Sequence, residues 1–191
     1  NASCLRTLGY HHQDELIGKN MHWQIHYQRQ DGTPLPLDEC RIFMAYIKGQ
    51  GTHVENEVLW RADGTCFSAE YFSYPQYHNG EIIGLVVTFM DITERKKSEE
   101  EIIYLSYHDQ LTGLYNRRYF EEELKRLDVQ RNYPLTIIMG DMNGLKLIND
   151  SLGHAVGDEL LKKVAEVLTK GCRSDDIIAR VGGDEYHLNG I

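Results

Sequence analysis

Leu135-Thr-Ile-Ile-Met-Gly-Asp141 and Asp176-Ile-Ile-Ala-Arg-Val-Gly-Gly-Asp-Glu-Tyr186 decide how the C-terminal part of this chain folds. The first reads as a short buried strand of β-branched and apolar residues, closed by a carboxylate. The second holds two strands, Asp176 to Val181 and Glu185 to Leu188, flanking Gly182-Gly183. Adjacent glycines suit a tight hairpin in which positive φ is needed. With the first strand beside that hairpin, Asp141 and Asp184 converge. Hard oxygen ligands so placed suit Mg²⁺, which is held by one or two carboxylates together with substrate phosphates. Gly-Gly-Asp-Glu alone would read as a polar turn; the upstream strand and its Asp make it a candidate site.

Working outward, Asn116 precedes a predicted helix from Arg117 to Leu127, with Phe120, Leu124 and Leu127 as its apolar face. Glu121, Glu122 and Glu123 come early in it and Lys125 and Arg126 late, the order a helix macrodipole favours. A second helix is predicted after Asp158, with Leu160, Leu161, Val164, Val167 and Leu168 on one face and Gly171 at its stop. Structurally, Asp158 would favour that N-terminus and Asn149-Asp150 would form a capping turn. Further upstream, His53 to Trp60 alternates apolar and polar residues. Asp63-Gly64 and His78-Asn79-Gly80 are hairpin signals before Thr65 to Phe72 and Ile82 to Phe89. Three strands of an antiparallel meander follow. Glu94 to Glu101 is highly charged, and Ile102, Ile103, Leu105 and Leu111 follow at near-helical spacing. Two readings stay open: a helix whose apolar seam faces a partner, or a solvated linker packed on its own chain.

The 191 residues suffice for two small domains. A net charge of −9 argues against a nucleic-acid surface, which needs clustered Lys and Arg. Cys4, Cys40, Cys66 and Cys172 form no CxxC pair, so a reducing cytoplasm is the expected location. No apolar run approaches a membrane span. His22 and His26, at i and i+4, have a spacing compatible with metal, although such pairs are more often surface or core; no residue identifies a ligand for this half.

Asp109-Gln-Leu-Thr112-Gly-Leu-Tyr-Asn116-Arg-Arg118, Asp141-Met-Asn-Gly-Leu-Lys146-Leu-Ile-Asn149-Asp150, Gly153-His154-Ala-Val-Gly157-Asp158 and Gly182-Gly-Asp-Glu-Tyr186 together resemble the GGDEF-type diguanylate cyclases. Leu8-Gly-Tyr10 with Glu15-Leu-Ile-Gly-Lys19, Trp60-Arg-Ala-Asp-Gly-Thr65 and Gly84 to Arg95 resemble a PAS sensor domain. The expected fold class is α+β. Residues 1–93 are a PAS-type antiparallel sheet with flanking helices, 94–108 a signalling helix, and 109–191 the front half of a palm-like GGDEF domain. Both domains are expected to be cut short, and the chain by itself to turn over little substrate.

The resemblance implies a homodimeric, signal-regulated enzyme that condenses two GTP into cyclic di-GMP. The alternative is an inert GGDEF module that binds GTP or cyclic di-GMP and regulates a partner domain. Asp141, Asp184 and Glu185 are the implied catalytic residues; with the Met142 carbonyl they would also hold Mg²⁺ or Mn²⁺. Asn149 and Asp158 would read guanine, Lys146 would neutralise phosphates, and the Gly144 and Leu145 amides would bind them. Arg180 has three readings: nucleotide contact, dimer contact, or a partner for a neighbouring acid. Arg173 and Asp176 fit an RxxD inhibitory product site. Asn143 and Tyr186 depart from the family pattern, which more often has Asp and Phe there.

Overall fold

The computed structural model describes residues 1–190. It divides into two compact units, Asn1–Ser98 and the residues from Glu99 onward.

In the first unit, α1 (Ala2–Leu8), α2 (Met21–Ile25) and α3 (Arg41–Lys48) precede β1 (Thr52–Trp60), β2 (Cys66–His78) and β3 (Glu81–Asp91). The strands form an antiparallel meander in the order β1-β2-β3, as the hairpin signals predict. Asn79 and Gly80, at φ 50° and 84°, make a two-residue turn between His78 and Glu81. Positive φ at both central residues is the geometry that matches strand twist, and Asn-Gly supplies it cheaply. Along β2 every second residue is buried: Phe67, Ala69, Tyr71 and Ser73. Three of these join Leu8, Ile25, Val54 and Leu59 in the core.

Next comes α4 (Thr93–Tyr107), then β4 (Tyr115–Asn116), α5 (Arg117–Leu127), β5 (Thr136–Asp141), α6 (Leu145–Leu152), α7 (His154–Gly171), β6 (Ile177–Arg180) and β7 (Glu185–Gly190). The sheet order is β4-β6-β7-β5; β5 and β6 both run antiparallel to β7, and β4 runs parallel to β6. Asn116 caps α5, its side chain accepting from the Tyr119 amide at 3.1 Å. Alternation along β7 splits the two cores. Tyr186 packs with Leu145, Leu161 and Ala165 of α6 and α7. His187 faces the other way, edge-on to Phe120 of α5 at 5.2 Å, and Phe120 packs with Ile177 and Ala179.

Four expectations need correction. β5 is not buried: it takes the outer place in the sheet, leaving Ile137, Ile138 and Met139 exposed at 45%, 58% and 67%. Asn149-Asp150 is not a capping turn: both residues lie inside α6, Leu145–Leu152. The next helix begins at His154 rather than after Asp158, because Gly153 at φ 89° breaks the chain direction between the two helices. Leu111 does not continue the α4 seam. The helix stops at Tyr107, and Leu111 packs beside Leu114 against the α6–α7 core.

Candidate functional site

The end of β5 and the β6–β7 connection meet as the sequence suggests. Asp141 is the register partner of Glu185, and the Met142 amide donates to the Asp184 carbonyl at 2.9 Å. This backbone bond fixes the strand end against the hairpin tip, so the carboxylates of Asp141 and Asp184 leave from adjoining backbone. The glycines work differently from the expectation. Four residues, Val181 to Asp184, separate the strands, and neither Gly182 nor Gly183 has positive φ. Gly183 has open space where a Cβ would sit, so the tip presents bare backbone.

Arg180 makes the contact of its third reading, a neighbouring acid. Its guanidinium donates to both oxygens of Asp109 (3.0 and 3.2 Å) and to the Gly183 carbonyl (3.2 and 2.7 Å). It therefore braces the tip from beneath. Burial by itself raises the Asp109 pKa; hydrogen bonds from the Thr112 hydroxyl and amide and from Arg180 outweigh it and hold the carboxyl below its usual range. Glu185 is engaged too, its Oε1 lying 2.9 Å from Nε2 of His187. That histidine was missed in the sequence, although i and i+2 on a strand share a face.

Gly144, at φ 87°, precedes α6 without a side-chain cap, which leaves the first-turn amides of α6 open. Such a terminus suits phosphate oxygens. Lys146 is exposed in the same turn. Asn149 lies against Gly157: a Cβ there would be 1.9 Å from Asn149 Oδ1, and that oxygen is buried without a hydrogen-bond partner. Asp158 follows Gly157 and is exposed. The structure thus brings Asn149 to the residue preceding Asp158.

Arg173 and Asp176 stand apart, in the turn from α7 to β6. Asp176 Oδ2 accepts from the Arg173 amide at 2.8 Å, and the turn borders a cavity of about 410 Å³ lined also by His108, Tyr115 and Ile178. The Tyr186 ring is 2% exposed, and its hydroxyl donates to the Leu161 carbonyl at 3.0 Å, so the departure from Phe is absorbed by packing.

The carboxylates at the strand end fit a divalent ion that arrives with phosphates. They are hard oxygen donors from two neighbouring segments, and Mg²⁺ keeps several waters and needs only one or two protein carboxylates. No helix among the described residues is long and apolar enough to cross a membrane.

The family described as "Diguanylate cyclase, GGDEF domain" matches residues 106–188, and a PAS family matches residues 1–94. The chain is 32% identical over 182 residues to "Probable diguanylate cyclase DgcE" of Escherichia coli, covering 92% of the chain and 16% of the relative. It is 31% identical to "Diguanylate cyclase DgcM" of the same organism, covering 98% and 44%. It is also 38% identical over 111 residues to "Cyclic di-GMP phosphodiesterase PdeB" of Shewanella oneidensis, covering 58% and 13%. The chain thus spans less than half the length of these relatives.

Proposed function

The chain belongs to the proteins of cyclic di-GMP metabolism that join a PAS domain to a GGDEF domain, and from this premise we propose that its protein is a signal-regulated diguanylate cyclase. The observation that carries the proposal is the Met142–Asp184 backbone bond, which sets Asp141 and Asp184 on adjoining backbone beside the open amides of α6. In this reading each GTP offers its 3′-hydroxyl to the α-phosphate of the other. A new O–P bond forms, pyrophosphate leaves, and the hydroxyl proton passes to a carboxylate or water near Glu185. A bound Mg²⁺ or Mn²⁺ would lower the hydroxyl pKa and neutralise charge on the phosphates.

The protein's own groups do the positioning. The Gly144 and Leu145 amides and the Lys146 ammonium hold phosphate. The unpartnered Oδ1 of Asn149 accepts from guanine, and the Asp158 carboxylate accepts its N1 and N2 donors. The RxxD turn at Arg173 and Asp176 binds cyclic di-GMP as an inhibitor, in the cavity it borders. Because each domain holds one GTP, the reaction calls for a homodimer. Exposure of Ile102 (67%), Ile103 (59%) and Leu105 (42%) on α4 supports that helix as the seam. The expected compartment is the cytoplasm.

The second reading, a GGDEF module that binds nucleotide without turnover, is favoured by one observation: a relative matching 58% of the chain is named as a phosphodiesterase. Nucleotide binding followed by turnover separates the two. The cyclase reading expects GTP binding in Mg²⁺, conversion to cyclic di-GMP by the protein, and loss of both in Asp184→Ala. GTP held without product supports the inert module. Product formed at the wild-type rate by Asp184→Ala would remove the metal assignment.

A further inference from the structure

In the first unit, three side chains that the cyclase reading does not use meet out of reach of solvent. His22 lies in α2, His26 is its C-terminal cap, and Cys40 is the N-cap of α3. They are 5%, 1% and 1% exposed, and one ligand atom from each lies within 4.8 Å of the others.

His26 is held at both ring nitrogens. Its Nδ1 is 3.2 Å from Cys40 Sγ, while its Nε2 is 2.9 Å from Glu57 Oε2. With Nε2 donating to that carboxylate, the neutral ring would turn its Nδ1 lone pair toward the sulfur. Glu57 is itself fixed by the Tyr71 hydroxyl, donating at 2.6 Å, and by Arg41 Nε at 3.1 Å. A carboxylate behind an imidazole, itself hydrogen-bonded, is the usual outer shell of a metal-ligating histidine.

His22 supplies the independent sign. Neither of its ring nitrogens has a hydrogen-bond partner, although the ring is buried; the Leu35 carbonyl approaches short of hydrogen-bond geometry. A polar group left so costs about 1–3 kcal/mol. His22 and Cys40 also line a cavity of about 490 Å³ together with Asn20, Ile42, Phe43 and Tyr46.

We propose that His22, His26 and Cys40 form a binding site for a transition-metal dication of the Zn²⁺ class, with its fourth position toward that cavity. Two imidazoles and a thiolate suit Zn²⁺, at about 2.0 Å for nitrogen and 2.3 Å for sulfur, whereas Mg²⁺ and Ca²⁺ want oxygen. From within 4.8 Å of one another the three atoms would close on the ion by movement of His22, whose ring has no hydrogen bond to break. On binding, the Cys40 proton and any second proton carried by the His26 ring leave to solvent, both imidazoles ligate in the neutral form, and His26 keeps its Nε2 proton, donated to Glu57. The thiolate offsets one charge of the ion, and Glu57, which also pairs with Arg41, acts on the rest through His26.

Cobalt(II) titration of the chelator-treated chain tests the site. One equivalent should produce a thiolate-to-cobalt charge-transfer band, bleached by Zn²⁺. The band should vanish in Cys40→Ser and His22→Ala, and persist in Cys172→Ser and in His53→Ala, which removes a second, exposed His53–Glu55–Glu70 group. Glu57→Gln should weaken binding by roughly 10- to 100-fold. No sulfur band, or one that survives Cys40→Ser, overturns the site. If Cys40→Ser fails to fold, zinc-edge X-ray absorption of the wild-type chain decides: one sulfur and two imidazole nitrogens support the site, and a sulfur-free shell ends it.

Discussion

Gly157 has no side chain because Asn149 occupies the place one would take. A Cβ there would lie 1.9 Å from Asn149 Oδ1, 3.0 Å from its Cγ and 3.2 Å from Leu145 Cδ1. In Gly157→Ala two effects oppose each other. Alanine gains up to about 1 kcal/mol of helix propensity over glycine, and overpacking costs about 1–3 kcal/mol. The balance is a small loss of stability. The amide, a flexible end, should move first, so GTP affinity should fall by more than stability does. Thermal unfolding beside nucleotide titration checks this; unchanged GTP affinity in Gly157→Ala would take Asn149 out of base recognition.

At the scale of the element, the β6–β7 tip is held by its underside. Arg180 joins the Gly183 carbonyl to Asp109, and Asp109 also accepts from the Thr112 amide and hydroxyl at 2.9 and 2.7 Å. Because these partners hold the folded pKa of Asp109 below its usual value, the stabilisation is complete above the unfolded value, near pH 3.9. It is lost as pH falls through the folded value. Asp109→Asn should therefore be less stable at neutral pH and lose less stability on acidification below about pH 4. Acid unfolding curves that descend in parallel for both proteins would show the pair to be energetically idle. Arg180, a candidate for substrate from its place beside the glycines, also braces the fold through Asp109 and the Gly183 carbonyl.

At the scale of the whole molecule, the exposed apolar residues of α4 matter most. Ile102, Ile103, Tyr104 and Leu105 are between 42% and 67% exposed, which a solvated linker would not require. If they form the seam of a dimer, Ile102→Glu with Leu105→Glu should shift the protein toward monomer, read by sedimentation. Cyclic di-GMP synthesis should then fall while GTP binding per chain is kept, since the Asp141 and Asn149 sites lie on other elements. A dimer that persists in this double variant would reduce α4 to a connector. The exposed face of β5 has no such reading, because nothing in the structure shows what covers it.

Local signals carried a great deal. Asn79-Gly80 fixed a two-residue hairpin because positive φ at both positions is a property of those residues. Asn116 marked the start of α5 and Lys125 with Arg126 its last turn, since capping and dipole effects act within a turn. The convergence of Asp141 and Asp184 was legible from the strand and hairpin pattern, whereas Asn149 and Asp158 joined the candidate site only through the family resemblance. What the tertiary structure alone decided depends on partners distant in sequence. Burial of β5 was set by its place in the sheet rather than by its apolar run. Arg180 was committed by Asp109, 71 residues away. His22 and His26 became a candidate metal site only because the fold brought Cys40 from the next helix and Glu57 from β1. Spacing along a chain constrains which residues share a face; which faces meet is decided by the packing of the whole.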